Sequence, residues 1–102
     1  MIRPLALVIA AIQIANPSLS ARTERRYAEL IRDEAQRRHF DPYTGVAIIW
    51  NESRFHPGLV SRHGDEEYAG LAQIRLRNFA ACRASVDAPA CAAERSRLLQ
   101  PD

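Results

Sequence analysis

The sequence predicts a small all-α domain. Apolar residues recur at helical spacing in several segments, and proline stands where helices are expected to begin. No stretch alternates between apolar and polar residues regularly enough to predict a strand. The 102 residues suit one domain, and 47% hydrophobic with 25% charged residues is typical of a globular protein. The formal net charge is +2, and acidic residues are interleaved with the arginines, so we expect no nucleic-acid partner.

Residues 1–21 have the layout of a secretory signal peptide. Arg3 supplies a positive charge, an apolar run extends from Leu5 to Ala15, and Pro17 precedes small residues suited to cleavage. The alternative is a buried N-terminal helix that stays in the protein. The signal-peptide interpretation places the protein in the periplasm or outside the cell and leaves residues 22–102 as the folded domain.

Two helices are predicted next. Thr23–His39 has an amphipathic pattern with Thr23 as its N-cap. Asp41 is expected to cap a second helix that has Pro42 at its first position and continues to Asn51. The apolar run before Asn51 favours a buried helix, with Trp50 in the core.

The second half of the chain is predicted to contain a loop and two helices. Phe55–Tyr68 is rich in polar residues, Pro and Gly, which indicates a loop. Helices are expected at Ala69–Ala81 and Ala90–Leu99. Cys82 and Cys91 favour a disulfide, because two cysteines without a nearby histidine do not make a four-ligand zinc site. No metal or cofactor is expected.

Glu52 is the candidate catalytic residue. It follows the most apolar segment of the predicted domain. A carboxyl beside an apolar wall loses solvation, which favours the protonated form that a general acid needs. The alternative, on Glu52 alone, is an exposed glutamate without a function at a helix end.

Glu52 is the first residue of a longer pattern, Glu-Ser-x-Phe-x-Pro-x-x-x-Ser. A glycine-containing loop and the sequence Gly-Leu-Ala-Gln follow it. This pattern resembles the lytic transglycosylase family of SLT domains, whose fold is similar to goose lysozyme. The matching positions are Glu52, Ser53, Phe55, Pro57, Ser61, Gly64, Gly70, Leu71 and Gln73. The resemblance implies a lysozyme-like helical domain.

The resemblance also implies an activity. Glu52 would be the single acid/base that cleaves the β-1,4 bond between N-acetylmuramic acid and N-acetylglucosamine in peptidoglycan, leaving 1,6-anhydro ends. Ser61 and Gln73 would bind the glycan, and Tyr68 lies either at the edge of the cleft or on the surface. The partners would be peptidoglycan strands, with a cell-envelope secretion machine as a further possibility, and we expect a monomer.

The chain departs from the family pattern at four places. Leu59 replaces an alanine, and Ala72 replaces a methionine. The acidic run Asp65–Glu67 lengthens the loop, which is either simply solvated or supplies a second carboxylate, as in a muramidase-type hydrolase. The sequence stops at Asp102, before an asparagine-containing helix and a tyrosine of the family, so we expect the C-terminal part of the fold to be missing. A non-catalytic peptidoglycan-binding remnant is therefore an alternative.

Overall fold

The structure, a computed structural model, describes residues 3–100. The first two residues of the predicted signal peptide and the C-terminal Pro101 and Asp102 lie outside this range. The described chain divides into two compact units, residues 3–55 and 56–100, each described here by itself. The elements are α1 (Leu5–Ala15), α2 (Ala21–Arg38), α3 (Pro42–Ser53), β1 (Val60–His63), β2 (Glu66–Ala69), β3 (Ile74–Arg75) and α4 (Pro89–Leu99).

In the first unit, α2 begins slightly earlier than predicted. The N-cap is Ser20, whose hydroxyl accepts a hydrogen bond from the backbone N–H of Thr23, so the prediction of Thr23 as the cap is wrong. Both are residues that favour N-caps, and the earlier one captures a backbone donor of the first turn. Glu24 lies in that first turn, and α2 ends at His39 in the left-handed conformation.

The predicted start of α3 is confirmed. The Asp41 carboxylate accepts from the backbone N–H of Tyr43 at 3.0 Å, and Pro42 opens the helix. A Cβ atom at Gly45 would lie 2.9 Å from Cγ2 of Ile31. A glycine at this position therefore allows α3 to approach α2 closely.

The described part of the predicted signal peptide contains α1, which packs against α2 and α3. The side chains of Val8 and Ile12 are fully buried, and Arg3 makes two hydrogen bonds of 2.8 Å to the Asp41 carboxylate. This packing corresponds to the alternative of a buried N-terminal helix, while cleavage after residue 20 or 21 stays a prediction. Within residues 3–100, no helix is both long and apolar enough to cross a membrane.

The second unit contains a three-stranded antiparallel sheet in the order β1-β2-β3. The all-α prediction is therefore wrong in this unit, and the fold is mostly helical with a small sheet. The predicted loop Phe55–Tyr68 contains a hairpin in which His63 pairs with Glu66, so Gly64 and Asp65 form a two-residue turn. Gly64 has φ 66°, which such turns require and which glycine adopts at little cost.

The helix predicted at Ala69–Ala81 is also wrong. Residues 69 and 74 pair between β2 and β3, and the connection between them places Gly70 and Gln73 at φ 83° and 49°. A right-handed helix cannot contain these left-handed residues. Two short 3-10 turns follow, Leu76–Asn78 and Ala80–Cys82.

The core of the second unit surrounds a disulfide between Cys82 and Cys91, both fully buried. The disulfide joins the second 3-10 turn to the first turn of α4. Ala69 and Leu76 belong to the same core. Nε of Arg95 in α4 donates a hydrogen bond of 2.5 Å to the Glu67 carboxylate on β2, and Nη2 of Arg95 donates to the Val86 carbonyl. These contacts hold α4 against the sheet.

Candidate functional site

Glu52 lies near the C-terminal end of α3 and is exposed. The helix predicted to be buried is buried on one face only, because Ile48 and Trp50 are 54% and 43% exposed. The buried face of α3 is made by smaller residues such as Gly45 and Val46. Ile48 stands one turn before Glu52 on the same side of the helix, so the carboxylate has an exposed apolar neighbour rather than an apolar cover.

The two residues that follow Glu52 in the family pattern fix the end of α3. The Ser53 hydroxyl donates to the carbonyl of Ile49 at 3.3 Å, inside the helix. Phe55 is fully buried, its ring centroid lies 6.4 Å from that of Tyr27, and its carbonyl accepts from the Asn16 amide at 3.0 Å. Ser53 and Phe55 therefore anchor the chain on both sides of the turn that ends α3.

This turn uses an uncommon backbone conformation. Arg54 and Phe55 have φ 55° and 59°, and a left-handed conformation costs a non-glycine residue roughly 1–2 kcal/mol. Burial of the Phe55 side chain, worth about 1.5–3 kcal/mol, offsets much of this cost. The Ser-x-Phe spacing thus has a structural reason, since α3 ends at Ser53 and the phenylalanine two residues later is fully buried.

Arg54 contacts Trp50 in a way that the sequence analysis missed. The guanidinium carbon lies 3.4 Å from the centroid of the indole ring, a cation–π contact. The i, i+4 spacing of Trp50 and Arg54 was the available signal. The prediction that Trp50 is a core residue is corrected, because its ring is partly exposed and stacked by Arg54.

In the second unit, the predicted substrate residues Ser61 and Tyr68 lie side by side. Ser61 pairs with Tyr68 across β1 and β2, and Tyr68 pairs with Arg75 on β3. Directly opposed residues point to the same face of a sheet, so these three side chains form one row. His63, on the same face of β1, packs edge-on against Tyr68 with ring centroids 5.5 Å apart.

Gln73 reaches the same row from the turn that precedes β3. Its side-chain oxygen Oε1 lies 2.5 Å from the Ser61 hydroxyl. Its side-chain nitrogen Nε2 donates to the backbone carbonyls of Leu59 at 3.0 Å and Gly70 at 2.9 Å. The structure therefore brings Ser61, Tyr68 and Gln73 together at one part of the sheet.

The acidic run belongs to the hairpin and is not a purely solvated loop. Asp65 occupies the turn, and Asp65 and Glu66 lie 3.7 and 3.6 Å from the same guanidinium nitrogen of Arg77. Glu67 faces the core of the unit, where it is 2% exposed and pairs with Arg95. Each of the three carboxylates thus has an arginine partner within its own unit.

A model of the transglycosylase SLT domain matches residues 29–102. This span is most of the chain, and it includes Glu52 and the row on the sheet. The chain belongs to the transglycosylase SLT family. Membership implies peptidoglycan as the substrate and transglycosylase-type cleavage as the general activity. Searches of curated proteins and of solved structures found no match.

The candidate residues of this SLT domain are divided between its two units. Glu52 and the Trp50–Arg54 pair belong to the first, while Ser61, Tyr68 and Gln73 belong to the second. Within residues 3–100, no group of three or more His, Cys, Asp and Glu side chains is arranged to hold a metal ion.

Proposed function

We propose that this SLT domain is a peptidoglycan lytic transglycosylase with Glu52 as its single acid/base. The bond cleaved is the β-1,4 bond between N-acetylmuramic acid and N-acetylglucosamine. The family match across Glu52 and the motif that follows it carries the proposal. The exposed position of Glu52, beside exposed Ile48, supports it, because a carboxyl that acts on a polymer must be accessible to a sugar ring.

The proposed reaction needs one carboxyl group used twice. Protonated Glu52 donates its proton to the glycosidic oxygen, the bond to C1 of the muramic acid breaks, and positive charge develops on that ring. The Glu52 carboxylate then takes the proton of the muramic acid 6-hydroxyl, whose oxygen attacks C1. The products are a 1,6-anhydro end and a free N-acetylglucosamine hydroxyl, and no water is consumed.

The muramidase-type alternative requires a second carboxylate that activates water. The acidic run was the candidate source of that carboxylate. Glu67 is buried and paired with Arg95, while Asp65 and Glu66 both contact Arg77. The buried Glu67–Arg95 pair has an evident structural role, and Asp65 and Glu66 have an arginine neighbour, which supports the mechanism with a single carboxylate.

A turbidity assay with purified peptidoglycan tests the assignment of Glu52. We expect Glu52→Gln to lose clearing activity by on the order of a hundredfold or more, since the amide cannot donate or accept the catalytic proton. Glu34→Gln is the matched control. Glu34 lies on α2 in the same unit and pairs with Arg37 and Arg38 on the surface, so its substitution should leave clearing unchanged.

The same assay separates the enzyme from a non-catalytic binding remnant. A remnant would sediment with insoluble peptidoglycan and leave its turbidity unchanged, whatever residue stands at position 52. Clearing that depends on Glu52 excludes the remnant. Equal clearing by the original chain and by Glu52→Gln would exclude Glu52 as the catalyst.

We also propose that the protein works in the periplasm or outside the cell, as a monomer. The arrangement of Arg3, the apolar run and the small residues before position 22 supports export, and the buried disulfide is compatible with an oxidising compartment. The N-terminal sequence of the protein recovered from bacteria tests this. A mature chain that starts at Ala21 or Arg22 is expected, and a chain that keeps Met1 would contradict cleavage.

A further inference from the structure

The Gln73 side chain connects three points of the second unit. Its nitrogen lies between two backbone carbonyls, that of Leu59 just before β1 and that of Gly70 just after β2. Its oxygen meets the Ser61 hydroxyl. Two backbone hydrogen bonds accompany these contacts, from the Gly70 N–H to the Leu59 carbonyl and from the Gln73 N–H to the Gly70 carbonyl.

The direction of each hydrogen bond follows from the chemistry of the groups. A carbonyl only accepts, so the amide end between Leu59 and Gly70 must be the NH₂ group, and both of its hydrogens are used. The other end of the amide is then the oxygen, which only accepts. The Ser61 hydroxyl must therefore donate its single proton to Gln73.

Gln73 holds these contacts at a cost to its backbone. Its φ is 49°, the left-handed region that non-glycine residues rarely occupy. Such a conformation persists when the surrounding structure imposes it, and it is often found at functional sites. Glycine would adopt the same φ freely, so the requirement at this position is for the glutamine side chain.

We propose that Gln73 is a positioning residue. It orients the Ser61 hydroxyl, and Ser61, not Gln73, makes the main contact with the glycan. Gln73 uses both of its donors to close the open end of the hairpin, and it orients the Ser61 proton. Ser61 is left with lone pairs only, so it accepts a hydrogen bond from an N–H or O–H group of the glycan. This inference rests on the proposed function for the identity of the ligand and deepens the expected role of Gln73.

The hydrogen-bond pattern can be measured without any ligand or activity. In NMR exchange experiments on the full chain, the side-chain NH₂ of Gln73 should exchange with solvent on the order of tenfold more slowly than that of Gln36. Gln36 is an exposed glutamine on α2 and serves as the control. Equal exchange rates at the two side chains would overturn the proposed hydrogen bonds.

The positioning role is tested by binding in a catalytically blocked background. The chain carrying Glu52→Gln is combined with Ser61→Ala, with Gln73→Leu, which removes both the acceptor and the donors of the side chain, and with both, and sedimentation with purified peptidoglycan gives each affinity. Loss of the Ser61 acceptor should weaken binding about fivefold. If Gln73 acts through Ser61, adding Ser61→Ala to Gln73→Leu causes little further loss.

Three results separate the possible failures. Losses that multiply in the double variant mean that Gln73 contacts the glycan independently, which overturns the positioning role. Unchanged binding in Ser61→Ala overturns the acceptor role. If the Glu52→Gln chain does not bind peptidoglycan at all, the proposed function fails together with the acceptor role, and NH₂ exchange alone still decides whether Gln73 closes the hairpin. Gln36→Leu, the same substitution at an exposed position of α2, should bind as the background chain does.

Discussion

At the scale of single residues, Asp41 shows how one ion pair connects α1 to the start of α3. Two hydrogen bonds from Arg3 and one from the Tyr43 N–H stabilise the Asp41 carboxylate. These contacts, the one from Arg3 first, lower the pKa of Asp41 from 3.8 to about 2. Because the folded state binds this proton less tightly than the unfolded state, the stabilisation is complete above about pH 4 and is lost as the pH falls towards 2.

The titration of Asp41 therefore reports whether α1 is in place. In an NMR titration of the full chain, the Asp41 carboxyl should have its midpoint at about 2. Arg3→Gln should raise this midpoint towards 3.8, although the Tyr43 N–H keeps part of the shift. Identical midpoints in the two chains would show that Arg3 does not pair with Asp41.

Gly70 has a position that no other residue can fill without rearrangement. Its φ is 83°, and a Cβ atom would lie 2.2 Å from the carbonyl oxygen of Leu98 in α4. We expect Gly70→Ala to lower the free energy of unfolding by at least about 2 kcal/mol, from backbone strain together with the clash. Chemical denaturation of the purified variant measures this loss.

Two other glycines are controls for that experiment. Gly64→Ala combines a positive φ with open space, so its cost should be only the backbone term of about 1 kcal/mol. Gly58→Ala has no neighbour within 4 Å and no positive φ, and it should be nearly neutral. Equal losses at Gly70 and Gly64 would argue against the close approach of α4.

At the scale of secondary-structure elements, α2, α3 and α4 could be predicted, whereas the sheet could not, and part of it was expected to be the helix Ala69–Ala81. Asp41-Pro42 carries local start signals, and α3 begins there as predicted. The strands are two to four residues long and mostly polar, so they show no apolar alternation. Their register depends on the turn at Gly64-Asp65 and on long-range pairing. The Gly-Asp pair is a usable turn signal, but the polar residues, Pro and Gly around it predict a loop equally well.

The packing of α1 leads to a prediction about one helix face. In the intact 1–102 chain, Ile12→Ala should lower the free energy of unfolding by about 2–5 kcal/mol, because Ile12 is fully buried. Ile14→Ala is the matched control, since Ile14 is 84% exposed and its loss should have little effect. Similar stabilities of the two variants in thermal denaturation would mean that α1 does not pack on α2 and α3.

The disulfide has an expected stability effect of its own. Cys82 and Cys91 close a loop with a sequence separation of nine. The chain-entropy estimate for such a loop is roughly 2–3 kcal/mol. Replacing both cysteines with alanine should lower the free energy of unfolding by about this amount in chemical denaturation. No change in stability would mean that the 3-10 turn and α4 are held by their other contacts, including the Glu67–Arg95 pair.

At the scale of the whole molecule, the family could be predicted from the sequence because its pattern is local. Glu52, Ser53 and Phe55 lie within four consecutive positions, and Ser53 and Phe55 each have a structural reason at the end of α3. The hydrogen bonds of Gln73 could not be predicted, since they depend on the hairpin that brings Ser61 within 2.5 Å of it. The exposure of Trp50 also could not be predicted. It depends on which face of α3 packs against the rest of its unit, and a continuous apolar run does not distinguish one face from another.

The central claim is that Glu52 alone carries out a cleavage that consumes no water. The most direct test digests purified peptidoglycan in water enriched with heavy oxygen and analyses the released fragments by mass spectrometry. We expect 1,6-anhydro ends without the isotope from the original chain, and no soluble fragments from Glu52→Gln. Reducing ends that carry heavy oxygen, or the same anhydro fragments from Glu52→Gln, would contradict the claim.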